Sequence, residues 1–334
     1  MPKDLERIQD VITHAWAPST RETYGSGLLM YHVFCDLKSI DEHARAPVTP
    51  LLVTAFVSAL AGAYSASAIG NYVAGVRAWH ILHGLPWQVN QMEMASMLKA
   101  AERLAAATSS RKQRVPFTVE YIATLRRHLD ISKPLHAAVY ACLTTTFYAA
   151  ARLGEFTVPT LTAFDPGMHV KPSDVRIDYD RNNLKSTVFH LPRTKAAING
   201  EDVAWSAQHG VTDPEAALAN HLKVNKPAPD GALFAYRYRN KLRVLTKPKF
   251  IDAINNAARA AGLERRQGHG IRIGATLEYL LRGVPFEAMK VKGRWASDAF
   301  HAYLTKHAQI LAPYMQSEPE CHRTFITLTM PPVR

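Results

Sequence analysis

Cysteine is scarce in this chain: three among 334 residues, at positions 35, 142 and 321, with no CxxC pair and no histidine at zinc-finger spacing. That excludes a disulfide framework and a structural zinc of the usual kind, and it fits a reducing compartment. Cys35 and Cys142 sit in helical, apolar-flanked stretches and are expected to be small buried hydrophobes. Acid is also in deficit, with 28 Asp and Glu against 40 Lys and Arg, a formal charge of +12. No cluster of carboxylates appears of the sort a two-metal nuclease needs. The surplus of cations favours a polyanionic partner, nucleic acid first, because cationic faces displace its counterions. Anionic membrane is the competing partner, but no basic amphipathic helix stands out. The most apolar helical stretch, residues 135–151, is interrupted by Thr144, Thr145 and Thr146 and ended by Arg152. It is a core helix rather than a membrane span. The opening MPKDLERIQD lacks the apolar core of a signal peptide, so an intracellular chain is expected.

What is present is ordinary globular composition, 47% hydrophobic and 20% charged, in a chain long enough for two domains. Ser19-Thr20-Arg21-Glu22 has the form of a capping box, predicting the first clear helix from Ser19. Residues 46–76 carry no charge at all and read as two closely packed helices, with Gly70-Asn71 as the break. A further helix is predicted over 91–107, completing a compact module of four helices over 1–108. The segment 109–116, Ser-Ser-Arg-Lys-Gln-Arg-Val-Pro, is a basic linker ended by a helix-stopping proline. Arg111, Lys112 and Arg114 there are either plain solvated charges or a phosphate-contacting strap, and the two readings are compatible.

Residues 117–334 form the second expected domain. Helices are predicted from Thr118 to about Leu129, over 134–155, over 248–263, and from His269 onward. Val175-Arg176-Ile177-Asp178-Tyr179 and Thr187-Val188-Phe189-His190-Leu191 alternate as strands, with a third from Glu201 to Trp205 after the Asn199-Gly200 turn. The fold class is therefore mainly α with a small antiparallel β-sheet.

Chemistry-bearing residues recur through this second domain. Arg152 follows the apolar helix, with Glu155 three residues on to hold it; arginine presents a planar fork matched to two phosphate oxygens. Standing alone, such an arginine is more often a helix-end cation facing the dipole. His269 and Arg272 share one face at the start of an apolar helix, whose N-terminus favours an anion. Gly268 and Gly270 beside them are expected to let backbone approach a phosphate closely. Trp295 supplies an indole N–H, a donor only, and can equally be a packed core residue. Tyr303 follows eight positions later. Lys195, beside Arg193 in the second hairpin, is a candidate proton donor, with Lys185 as a nearby alternative.

The motifs Ala151-Arg152-Leu153-Gly154-Glu155, Arg193-Thr194-Lys195 and the block GHGIRIGATLEYLLRGVPFEAMKVKGRWASDAFHAYL resemble the tyrosine recombinase, or phage integrase, family. HGIRIGAT and GRWASDAF are most similar to the recombinases of Crypton-type transposons. The resemblance covers roughly the second two-thirds of the chain. It implies an α-helical core-binding domain and an α+β catalytic domain that clamp double-stranded DNA. Tyr303 would be the nucleophile, forming a 3′-phosphotyrosyl link. Arg152, Arg272, His269 and Trp295 would surround the phosphate, and Lys195 would protonate the leaving 5′ oxygen. Trp295 stands where most members have histidine. Neither metal nor ATP is implied, because the covalent link conserves the bond energy.

The resemblance further implies a homo-oligomer, a dimer on DNA and a synaptic tetramer, acting in integration and excision of a mobile element, in the nucleus if the source is eukaryotic. The tail, about 304–334, is expected to dock residues 318–334 on the catalytic sheet, in trans or in cis. Three other readings stay open: a type IB topoisomerase, a non-catalytic transposon-derived DNA-binding protein, and a basic structural protein with coincidental motifs.

Overall fold

A computed structural model describes residues 2–109, 114–195, 197–295 and 307–312. The chain divides into two compact units, Met1–Gln113 and Arg114–Arg334, and the division falls inside the basic 109–116 segment.

The first unit is all α: α1 (Pro2–Thr13), α2 (Pro18–Leu37), α3 (Glu42–Arg45), α4 (Pro50–Leu60), α5 (Ala66–Leu82) and α6 (Gln91–Leu104). Tyr31, Phe34, Cys35, Phe56, Val57, Ile69 and Val76 form its core. Helices α2 and α5 lie almost backbone to backbone. A Cβ on Gly27 would come within 2.6 Å of Tyr72 Cα, and one on Gly75 within 2.4 Å of Tyr24 O. Three expectations change here. Helix α2 starts at Pro18 rather than Ser19, with Ala17 as N-cap and no side-chain cap bond, so the Ser19–Glu22 capping box does not form. Proline at the first helical position needs no donor and is preset in φ, and it takes the start. The break in the uncharged stretch falls at 61–65 instead of Gly70: Gly62 turns at φ +84° and Ser65 caps α5 by accepting from Ala68 N. Helices α1 and α3 are additions to the four anticipated.

The second unit is built around α8 (Pro134–Tyr148), in which every residue from 137 to 148 is buried. It has no polar face because other elements surround it. Thr144 satisfies its hydroxyl by bonding back to Tyr140 O at 3.1 Å. Helix α7 (Val119–Arg127) precedes it, capped by Thr118. The predicted single helix over 134–155 is instead two: Ala150 turns left-handed at φ 49°, and α9 (Leu153–Phe156) follows with Arg152 as its N-cap. Continuing apolarity concealed that break.

The sheet is β1 (Val175–Tyr179), β2 (Lys185–Leu191) and β3 (Glu201–Trp205), antiparallel in the order β1-β2-β3. Its registers pair Val175 with Phe189 and Phe189 with Val203. Then come α10 (Pro214–Asn225), a short hairpin of β4 (Tyr236–Tyr238) and β5 (Lys241–Arg243), α11 (Lys247–Ala260), α12 (His269–Leu281), α13 (Phe286–Gly293) and α14 (His307–Leu311). The chain is thus mainly helical with a small antiparallel sheet. Cys35 and Cys142 are both buried, as apolar side chains would be. Among the described residues no helix is long and apolar enough to cross a membrane. Arg111, Lys112, Cys321 and the tail segment 318–334 lie outside the described residues.

Candidate active site

The turn after α8 delivers Arg152. Its extended backbone (φ −83°, ψ 135°) makes it the N-cap of α9, where Glu155 accepts from Arg152 N at 2.7 Å and from its guanidinium at 3.0 Å. The arginine is therefore at a helix start, not at a helix C-terminus facing the dipole. Its side chain is 36% exposed while the Glu155 side chain is 8% exposed, so a buried carboxylate steadies a guanidinium that reaches solvent.

Helix α12 starts at His269. Burial, with added repulsion from Arg114, Arg272, Arg152 and Lys247, holds the His269 imidazole below its ordinary pKa. It is neutral at pH 7 and can accept a proton. Lys247 belongs to this group because Val158, just past α9, is bridged to Thr246: Val158 N donates to Leu245 O and Lys247 N to Val158 O. Arg114 is exposed and donates to Gln267 at 3.2 Å. The flanking glycines have a different use from the one expected. A Cβ on Gly270 would lie 2.5 Å from Val115 O, one on Gly274 1.9 Å from Phe117 O, and one on Gly268 2.6 Å from the Leu153 side chain. They let α12 press against the 115–117 segment, whose Phe117 N donates to Gly270 O at 2.9 Å.

Arg272 does not share an open face with His269; it is 2% exposed. Its guanidinium donates to Gly293 O and stacks 4.5 Å over the Trp295 ring. Trp295 packs on the main core, and its ring covers Gly293 so closely that a Cβ there would sit 1.6 Å from it. The packing role of Trp295 is thus visible directly. Tyr303 lies outside the described residues.

Lys195 and Arg193 are both exposed in the β2–β3 hairpin. Lys185, the alternative donor, is held in an ion pair by Glu215 of α10. The hairpin itself is anchored: Thr194 donates its hydroxyl to Glu201 at 2.5 Å, and Ala197 N donates to Thr194 Oγ1 at 3.0 Å. Arg294 then joins the parts. It donates to Glu201 and to Glu155, at 2.6 Å each. A continuous chain, Arg152–Glu155–Arg294–Glu201–Thr194, leads from one predicted site residue to the neighbour of another. Burial opposes ionisation of Glu155, but the charge and bonds of Arg294, with bonds from Arg152, hold its carboxyl below the usual range.

Two features were missed in the sequence. Arg294 is one; it stands between Gly293 and Trp295, and both of its carboxylate partners are distant in sequence. The other is the β4–β5 hairpin with the start of α11. Arg237, Arg239, Lys241, Arg243, Lys247 and Lys249 occur there without one acid between them, a signal that was available. Arg243 stacks 4.2 Å over Tyr238, which is 42% exposed. Among the described residues no group of three His, Cys, Asp or Glu side chains converges as metal ligands would.

Lys292 of α13 is half-buried, its ammonium donating to Ala204 O at 3.1 Å and resting 4.6 Å from the Tyr279 ring. Burial pushes its pKa down to about 8. Between that value and the unfolded value near 10.5, the unfolded chain holds a proton that the folded chain has released, so stability rises with pH across that window. Below it the charged form is a standing cost of about 3 kcal/mol. Lys292→Met is expected to raise stability at pH 7 by about 2 kcal/mol, net of one lost hydrogen bond. That gain should fade as the pH approaches 10.5, as denaturant unfolding at pH 7 and at pH 10 would reveal.

No protein-family model and no curated protein matches this chain. Solved structures do. One is λ integrase residues 75–356, a dimer bound to a COC′ core site, at 14% identity over 91% of this chain and 94% of that one, TM-score 0.56. Another is the XerH site-specific recombinase bound to palindromic difH substrate in a post-cleavage complex, at 12% identity over 88% and 80%, TM-score 0.57. A third is a λ integrase tetramer bound to a Holliday junction, at 12% identity over 90% and 75%, TM-score 0.52. At these identities the likeness is one of fold, and it extends through both units of the chain: this protein has the fold of the site-specific tyrosine recombinases.

Proposed function

We propose that the chain is a DNA-cleaving and rejoining enzyme, a site-specific tyrosine recombinase of Crypton type that moves a mobile element. The observation that supports this best is the convergence of Arg152, His269, Arg272 and Trp295, with the Lys195 hairpin tied to the same place through Glu201, Arg294 and Glu155. The Tyr303 oxygen attacks a backbone phosphorus and gives its proton to neutral His269. The phosphorus–5′-oxygen bond breaks, and that oxygen takes a proton from Lys195. A 3′-phosphotyrosyl enzyme and a free 5′-hydroxyl remain. Attack by the 5′-hydroxyl of a second duplex reverses the step, so phosphodiester count is conserved and no nucleotide is consumed. The exposed guanidinium of Arg152 stabilises charge growing on the non-bridging oxygens.

Double-stranded DNA is the partner, with Arg111, Lys112, Arg114 and Arg193 on its phosphates and the basic β4–β5 hairpin as a further contact. Assembly is a dimer on each site and a tetramer when two sites are paired. Strand transfer between two marked duplexes is the expected product; relaxation of a supercoiled circle without transfer would mean a topoisomerase, and binding without cleavage a DNA-binding protein only.

The role of Lys195 has its own test. In a duplex whose scissile 5′ oxygen is replaced by sulfur, the leaving group needs no proton. Lys195→Ala is expected to slow cleavage of ordinary DNA by about 10²-fold or more, the usual scale of general acid catalysis. Most of that loss should vanish with the sulfur substrate. A variant equally slow on both duplexes would place the general acid elsewhere.

A further inference from the structure

Arg294 takes no part in the reaction as written above, yet its surroundings are those of a functional side chain. It sits at the C-cap of α13 with φ 57° and ψ 49°, the left-handed region that glycine occupies most easily. A non-glycine residue there accepts a conformational cost. The side chain, not the turn, is what the position requires. It is 9% exposed and forms two charge-assisted bonds of 2.6 Å, one to Glu155 and one to Glu201. Glu155 is already bonded to Arg152, and Glu201 already accepts from Thr194. Only a planar guanidinium spans two carboxylates with separate donors in this way.

We infer that Arg294 is a positioning residue for DNA cleavage: by bridging Glu155 and Glu201 it fixes the Lys195 hairpin relative to the Arg152 turn. The inference rests on the recombinase reading of the site. Glu201 opens β3 and Thr194 sits beside Lys195, so the bridge acts where a small displacement moves the proton donor away from the leaving oxygen. A general acid must lie within hydrogen-bond reach of the atom it protonates, and misplacement by an ångström is costly. Simple C-capping makes the opposite demand. Glycine at 294 would satisfy the backbone better than arginine does.

The full-length protein is assayed in single turnover on a nicked duplex of the sequence selected by adduct capture from a random-sequence pool. The same duplex is made with oxygen or with sulfur at the scissile 5′ position. Arg294→Gly, Arg294→Lys and Glu201→Gln are each expected to slow adduct formation on the oxygen duplex by about 10-fold to 100-fold, the range of a misplaced acid. Apparent DNA affinity should stay within a few-fold of wild type, and the sulfur duplex should recover most of the rate. Hydrogen exchange provides a second measurement that needs no activity: amides of residues 192–200 should exchange faster in all three variants while those of α8 do not change. Equal slowing on both duplexes, full activity in Arg294→Gly, or unaltered exchange in the hairpin would each overturn the inference. A wild-type protein that forms no adduct instead sinks the recombinase reading, and the exchange data then still decide whether Arg294 holds the hairpin.

Discussion

Arg272→Ala is expected to slow formation of the protein–DNA adduct by about 10²–10³-fold, the scale on which a donor to developing charge is lost. It should also destabilise the fold, and the two effects have separate origins in the geometry. The guanidinium is buried, donates to Gly293 O and stacks on Trp295, which itself covers Gly293. Alanine leaves an unsatisfied carbonyl and a void beneath the indole, together costing about 2–4 kcal/mol. Arg272→Lys keeps a charge and loses the planar stack, so it should fall between the two. Single-turnover rates at saturating DNA report the chemistry, and thermal unfolding reports the packing. A variant that unfolds earlier but cleaves within a few-fold of wild type would make Arg272 purely structural.

Tyr303→Phe has the largest expected effect. Only the attacking oxygen is removed, so DNA binding should be unchanged and no covalent adduct should form at any enzyme concentration. Phenol has a pKa near 10, and at neutral pH it needs a base or nearby cations to become a nucleophile. His269, held neutral by burial and by repulsion from Arg114, Arg272, Arg152 and Lys247, can take the proton, and the same cations favour the phenolate. The chain has 13 tyrosines, and Tyr314 is the nearest rival in sequence. An adduct that persists in Tyr303→Phe would move the nucleophile to another of them.

Much of this was legible in local pattern. Alternation marked β1 and β3 with the bounds the structure has, and the start of α12 at His269 followed from the apolar helix behind it. Legibility failed where the deciding partner is distant in sequence. The turn at Ala150 follows an apolar helix that carries no charge to announce an end. Gly70 looked like a break and is instead inside α5, because Gly62 and Ser65 had already supplied the turn and the cap. Gly268 and Gly270 read as room for a phosphate and are room for Leu153 and Val115. Arg294 meets Glu155 and Glu201, which lie 139 and 93 residues away along the chain, and no local spacing encodes such a bridge. Three-residue strands such as β4 and β5 are too short for alternation to register.

The most direct measurement of the central claim is the identity of the residue that carries DNA. Wild-type protein is incubated with a nicked duplex from which the 5′-hydroxyl fragment escapes, so that the covalent intermediate accumulates, and is then digested with trypsin. Cleavage after Arg294 and Lys306 releases residues 295–306, in which Tyr303 is the single tyrosine. Mass spectrometry is expected to find the 3′-phosphonucleotide on that peptide and on that side chain. Nucleotide on the 307–323 peptide that carries Tyr314, or no covalent adduct with any duplex in the pool, would contradict cleavage through Tyr303.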